Sequence, residues 1–396
     1  MTNFLSEAKH LFPYTQTLRR DFHTHPELGF TEIRTGGIVA RELEALGLEV
    51  TKGIGKTGVV GLLEGCKPGP TLLLRFDMDA LPITEDTNAE YASQTPGIMH
   101  ACGHDGHTAI GLTVAKLLQA QRNELAGSVK FCFQPSEEGF NGEEVGGAEM
   151  MMRDGVLDGP KVDKTLSLHL WNEQPLGWIH VAQGPVMAGA EQFTIKLTGK
   201  GGHGAMPHVT IDPIAAAAQI ITALQSIVSR NVAPLQAAVV SVTQVHSGTA
   251  FNVIPQEAEL TGTIRSFDLS IRKIVLERFE QIIRGIAESM QCKAEIETVR
   301  VTPALINNDA VAMIVQETAR RVLPDSELNT SPYLTMGAED MAFMQEKVDG
   351  CYFFIGSNNK ERHLDYGHHH PKFDFDEEAL TYGAALMAAA AADILK

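Results

Sequence analysis

The stretch Met99–His107, MHACGHDGH, brings Cys102, His104, Asp105 and His107 into six residues, with His100 just ahead of them. A thiolate beside an imidazole is the ligand pair of a zinc-type site. In extended chain, residues two apart point the same way. Cys102 and His104 are therefore expected to reach one point, and Gly103 between them adds no side chain to obstruct it. The alternative is a polar turn with satisfied histidines. An isolated Cys-x-His would favour that alternative, whereas this density of ligand types favours a metal.

Other polar groups stand where apolar runs end. Thr71–Phe76 (TLLLRF) reads as a buried strand and runs into Asp77 and Asp79. Val129–Phe133 reads as a second, running into QPSEEG with Glu137 and Glu138. Lys164–Leu168 reads as a third and leads to His169. Between them, Thr108–Gln121 reads as a helix with Ile110, Val114, Leu117 and Leu118 on one face. In open α/β sheets, functional groups gather at the carboxyl ends of strands. Each acid pair alone is an ordinary strand-end turn. Three such ends beside the Cys102–His104 stretch predict acids, thiolate and imidazole on one edge of one sheet.

The flanking elements must hold that edge. Residues 5–22 read as a helix with Leu11, Tyr14 and Leu18 inward, broken at Pro26 and Gly29. His23, His25 and Glu27 read as capping groups at that break. Thr35 is expected to cap a helix ending before Gly47, and the PGP at 68–70 to turn. From about Pro185 the pattern changes. Glu191–Thr198 alternates as a half-buried strand, and GKGGHGAMPH is a Gly-rich loop holding His203 and His208. A helix capped by Asp212, strands at 237–245 and 257–267, a helix at 270–290 and a strand at 293–301 complete a β-α-β-β-α-β order, that of a ferredoxin-like unit. Residues 187–300 thus read as a domain inserted into a first one of 1–186 and 301–396. The α/β pattern resumes with a helix at 310–322, a strand at 351–355, the run His368-His369-His370, and a last amphipathic helix at 377–394.

A net charge of −17 argues against a nucleic-acid surface. Five scattered cysteines do not form a disulfide framework and suggest a reducing compartment. The opening MTNFLSEAKHLF lacks the apolar core of a signal peptide, and no apolar run is long enough to span a bilayer. A cytoplasmic protein without membrane or nucleic-acid partners is the expectation.

In order along nearly the whole chain, RRDFHTHPELGF, DMDALP, HACGHDGHT, QPSEEG, H-L-W, GKGGHGAMPH and HHPKFDF resemble the metal-dependent amidohydrolases of the aminoacylase, hippurate-hydrolase and auxin-conjugate-hydrolase group. The resemblance implies a zinc-peptidase-like α/β catalytic domain, a mixed sheet flanked by helices. It also implies that the inserted α+β domain is a lid and dimerisation unit, so that a homodimer is expected. It implies two divalent ions (Zn, Mn, Co or Ni) held by Cys102, His104, Glu138, His169 and one histidine of 368–370. The family ligand stands two before a proline, which selects His369 through Pro371. Glu137 matches the general base. His203, Asn252 and Arg265 match positions that contact the substrate's carbonyl and carboxylate, with Asn252 expected beside Arg265. The implied activity is hydrolysis of an N-acyl or N-aroyl amino acid. A dipeptidase or aminopeptidase on the same metals, and a non-catalytic binding protein on the same fold, are the alternatives. A cysteine hydrolase with Cys102 attacking would leave Glu137, Glu138 and His169 unused.

Overall fold

Strands that are apolar along their whole length need cover on both faces, and this chain supplies it with helices. The computed structural model describes residues 3–139 and 141–396. It divides into two units: Met1–Val186 with Ile306–Tyr333 and Asp340–Lys396, and Met187–Leu305 with Leu334–Glu339.

In the first unit eight strands form one mixed sheet: β1 (Glu49–Ile54), β2 (Gly58–Glu64), β3 (Lys67–Asp77), β4 (Ala126–Gln134), β5 (Lys164–Pro175), β6 (Trp178–His180), β7 (Glu327–Asn329) and β8 (Gly350–Asn358). Their order is β1-β2-β4-β3-β5-β8-β6-β7. The central β4, β3, β5 and β8 run parallel, and β2 and β6 join them antiparallel. Parallel register brings the site into line. Asp77 pairs with Gln134 across β3 and β4, and Arg75 pairs with Ser167, which puts His169 level with Asp77. Phe76, Phe131, Phe133, Leu166, Leu168 and Phe353 are buried beneath that edge. The helices that flank these strands include α1 (Phe4–Thr24), α2 (Ile33–Ala45) and α3 (His104–Gln119).

Several elements differ from the sequence reading. The PGP at 68–70 lies inside β3, which starts at Lys67 and shifts register before Thr71. β5 continues to Pro175, so His169 stands within a strand rather than past its end. α3 starts at His104, four residues early, because left-handed Gly103 (φ 102) turns the chain directly into the helix. In α1 the inward positions are Ala8, Thr15, Arg19, Phe22 and His23, with Leu11 and Leu18 at their margin. Thr35 lies inside α2, and the carboxylate of Glu27 caps that helix from outside by accepting the N–H groups of Arg34 and Thr35 at 2.9 and 2.8 Å. The last helix, Glu378–Ile394, is buried all round from Ala384 to Ala391 rather than amphipathic. It packs against α1, α3 and the helix Asp309–Val322, and alanine lets their backbones approach.

In the second unit four antiparallel strands lie in the order Ala238–Ser247, Glu257–Ser266, Gly189–Thr198, Lys293–Thr302. With the helices Pro213–Asn231 and Leu269–Ser289 this is the ferredoxin-like arrangement. Alternation decides its inner face: Phe193, Ile195 and Leu197 are buried with Ile220, Leu224, Phe279 and Ile283. Asp212 and Asp268 cap the two helices through their carboxylates. Among the described residues no helix is long and apolar enough to cross a membrane, and the five cysteines are free.

Candidate metal centre

The site is built at the carboxyl ends of β3 and β4, the middle of β5 and the first turn of α3. Cys102 and His104 do meet, though through the left-handed turn at Gly103 rather than along an extended strand. Cys102 Sγ stands 3.4 Å from His169 Nε2. Ligand atoms of Cys102, His104 and His169 form one group within 4.8 Å of one another, and those of Cys102, Glu138 and His369 form a second. A third group joins His104 with Glu137 and Glu138.

Each imidazole is set by what holds its far nitrogen. His104 donates Nδ1–H to the Asp79 carbonyl at 3.0 Å, with Asp79 Oδ1 at 3.2 Å, and turns Nε2 inward. His169 donates Nδ1–H to the Leu170 carbonyl at 2.6 Å, which leaves its Nε2 lone pair facing Cys102. Burial, then His107 and His368, hold His169 well below the usual histidine range, so its ring is neutral. Burial and the adjacent Glu138 push the Cys102 thiol up. A neighbouring cation would reverse that and favour the thiolate.

The run 368–370 divides by contact. His368 Nε2 accepts the Asn172 N–H at 3.1 Å while its Nδ1 lies 3.9 Å from Cys102 Sγ, and burial pushes this histidine down to about 3. His370 Nδ1 accepts the Lys372 N–H and its ring stacks on Tyr366. His369, left-handed at φ 66 and tied by its N–H to the Ala101 carbonyl at 2.7 Å, places Nε2 3.2 Å from Glu138 Oε1. His107 is likewise engaged at both nitrogens. Nδ1–H donates to Asp77 at 2.6 Å and Nε2 accepts the Leu170 N–H at 2.9 Å.

One atom is left over. Nε2 of His104 is buried without a hydrogen-bond partner and lies 3.9 Å from Oε1 of Glu138, whose near neighbour is His369 Nε2 at 3.2 Å. Buried polar atoms are paired almost without exception, and lone pairs from a thiol, imidazoles and a carboxylate converge here. A divalent ion of the zinc type accepts that donor set, so the residues fit the group.

Sequence reasoning missed the supports. Asp79 orients His104 and also accepts the Glu138 N–H at 2.9 Å. Asp77, paired with Arg75 at 2.7 Å, fixes His107, which in turn holds Leu170, whose carbonyl fixes His169. The D-M-D spacing at a strand end was the available signal. Asp105 faces away from the site, bonded to Arg19 at 2.9 Å and His23 at 2.7 Å.

In the second unit His203 is exposed and bridges to Val253 in a two-residue ladder. That ladder keeps it beside Asn252, whose carbonyl accepts the Gly204 N–H at 2.8 Å. Arg265 is half-buried, opposite Val239 and Ala190, and makes no ion pair or hydrogen bond among the described residues. Asn252 follows Ser247, which pairs with Ala258, so seven strand residues separate that end from Arg265, about 23 Å at strand rise. The expectation that Asn252 stands beside Arg265 within one chain is therefore incorrect.

Comparison with known proteins agrees with this geometry. The family model described as Peptidase family M20/M25/M40 matches residues 73–393. The chain is 42% identical over 381 residues to N-acetylcysteine deacetylase of Bacillus subtilis, covering 96% of each protein. It is 48% identical over 272 residues to N-acyl-L-amino acid amidohydrolase of Geobacillus stearothermophilus, covering 68% of this chain and 72% of that one. A crystal structure of a dinuclear metal-binding peptidase of the M20 family from Bacillus subtilis superposes with a TM-score of 0.85 at 38% identity, covering 98% of this chain and 99% of that one. The chain belongs to Peptidase family M20/M25/M40 and is a metal-dependent hydrolase.

Proposed function

We propose that the protein hydrolyses the amide bond of N-acyl or N-aroyl amino acids, releasing a carboxylic acid and an amino acid. The observation that carries this reading is the buried, unpartnered Nε2 of His104, set within a Cys-His-Glu-His-His cluster with Glu137 at its edge. Cys102, His104, Glu138, His169 and His369 would hold two divalent ions, Zn, Mn, Co or Ni. Two three-ligand groups that share only the Cys102 sulfur support that count. Bound there, such ions lower the pKa of water and polarise a carbonyl. Glu137 takes the proton of the attacking water and returns it to the departing amine. The names of the two deacylating relatives support an N-acyl amino acid as substrate.

Arg265 would grip the substrate's carboxylate through paired hydrogen bonds. Its half-buried guanidinium without a counter-charge supports this, because the salt-bridge alternative has no partner among the described residues. His203 and Asn252 would serve the carbonyl. A small substrate cannot span the 23 Å or so that divide them from Arg265 along one sheet, so we assign the assembly as a homodimer through 187–300. A monomer by light scattering would refute that assembly. Free cysteines are consistent with a cytoplasmic location.

The test is a panel of hippurate, N-acetyl amino acids, their amides and dipeptides, with each metal added. Turnover of the N-acyl acids above the dipeptides is expected, with Arg265→Ala raising KM for acids and much less for amides. Preferential turnover of dipeptides would replace this reading with that of a peptidase.

A further inference from the structure

We propose that Glu32 is a positioning residue for Glu137, setting through the Ser136 backbone where that carboxylate stands. The proposal rests on the reading of Glu137 as general base.

Glu32 belongs to the HPELGFTE stretch, which the site itself does not use. Its side chain is wholly buried, and both of its oxygens are occupied. Oε1 accepts the N–H of Ser136 at 2.9 Å, and Oε2 accepts the hydroxyl of Thr57. Ser136 directly precedes Glu137 and sits at φ 47, in the left-handed region that a residue with a side chain rarely adopts. Such a conformation persists where its surroundings over-determine it. Here the Ser136 hydroxyl also donates to the Gly139 carbonyl at 2.7 Å and closes the turn that presents both glutamates.

A second observation places the same stretch against that turn. A Cβ on Gly29 would stand 2.3 Å from Ser136 Oγ and 2.2 Å from Asn141 Nδ2, so only glycine admits this approach. The two glutamates are therefore held from different directions. Asp79 takes the Glu138 N–H, and Glu32 takes the N–H one residue before Glu137. Burial and the charge of Asp79 push the Glu32 carboxyl up to about 7. An acid kept in so unfavourable a place, with an exacting acceptor task, fits positioning better than packing. Loss of Glu32 frees the turn at Glu137 while leaving the hold on Glu138.

Kinetics and metal content of the metal-loaded full chain test this, using the panel substrate turned over fastest. Glu32→Ala should lower kcat by about 10–100-fold, the scale of a misplaced catalytic group, with metal content unchanged and KM within about threefold. Glu32→Gln keeps an oxygen for Ser136 and offers its amide to the Thr57 hydroxyl, so it should return kcat to within about threefold of the parent. Unchanged kcat in Glu32→Ala, equal losses in both variants, or metal lost in step with kcat would overturn the proposal. If Glu32→Ala does not fold, Thr57→Val carries the test, because it releases one oxygen only. A kcat loss at constant KM supports the proposal and an unchanged kcat overturns it. Glu137→Gln, run alongside, tests the underlying reading. Full turnover there removes Glu137 as base, whereas its collapse beside an unimpaired Glu32→Ala removes only the positioning role.

Discussion

On one side of the first turn of α3, Arg19, His23, Asp105, Asp374 and Glu377 bury ionisable groups with a partner for each. Arg19 reaches Asp105, Asp374 and Glu377 at 2.9, 2.7 and 3.4 Å, and His23 joins Asp105 to Glu85. On the other side, Cys102, His104 and Glu138 turn ligand atoms toward one another, and Nε2 of His104 is buried with no hydrogen-bond partner. Both sides draw on the same short segment, and both bury histidine and carboxylate groups. The difference lies in completion: the Arg19 side closes on itself, and the Cys102 side closes only around a cation. His100 lies near both and belongs to neither, with two unpartnered nitrogens and a burial that pushes it down to about 4, hence neutral.

Metal removal breaks the comparison most directly. Chelation should abolish hydrolysis and divalent metal should restore it, with Cys102→Ser weakening metal binding because a hydroxyl replaces a thiolate. Full activity in a verified metal-free sample would sink the metal assignment. Next in size, Glu137→Gln should retain metal and lose about 10²–10⁴ in turnover, while Glu138→Gln should lose metal. The reverse pattern in metal analysis would exchange the two roles.

The completed side should respond in stability instead. Asp105→Ala leaves Arg19 and His23 short of a buried partner, at a cost of roughly 3–5 kcal/mol. Denaturant unfolding of the metal-free protein measures this, and an unshifted midpoint would show that the network does not need Asp105. The smallest effect concerns pH. Burial and the charge of Asp79 raise the Glu32 carboxyl from its ordinary 4.5 to about 7 in the fold. The folded state therefore holds this proton more tightly. The carboxyl's contribution is full below about 4.5 and falls away as pH rises through about 7. Metal-free Glu32→Gln, which cannot ionise, should gain on the metal-free parent across that window, reaching about 3 kcal/mol. A stability difference flat in pH would contradict it.

Much of the site is visible in residue order because ligand types are chemically distinctive and strand ends are legible from apolar runs. TLLLRF before DMD and VKFCF before QPSEE placed four acids on one sheet edge, and β3 and β4 end there. Local rules failed where tertiary partners decide. Glu27 caps α2 from across a loop, a contact that no spacing rule contains. Tyr14 and Leu18 read as core by periodicity, yet the inward stripe of α1 carries Arg19 and His23, because buried charge is tolerable only opposite Asp105, Glu85 and Asp374.

Residue identity alone determined that thiolate, imidazole and carboxylate would gather at one edge of an α/β sheet, and that an alternating α+β segment would stand as its own unit. Side-chain chemistry and period-two or period-3.6 patterning are local properties, so they survive without coordinates. Which atoms remain unpartnered was decided by the fold. Of the three histidines at 368–370, only packing shows that the first is taken by the Asn172 N–H and the third by the Lys372 N–H, leaving His369 facing Glu138. The distance between Asn252 and Arg265 is of the same kind. A run of thirteen residues looks short along the chain, but it starts in the hairpin loop and runs one way along the strand Glu257–Ser266, so its ends part by most of a strand's length.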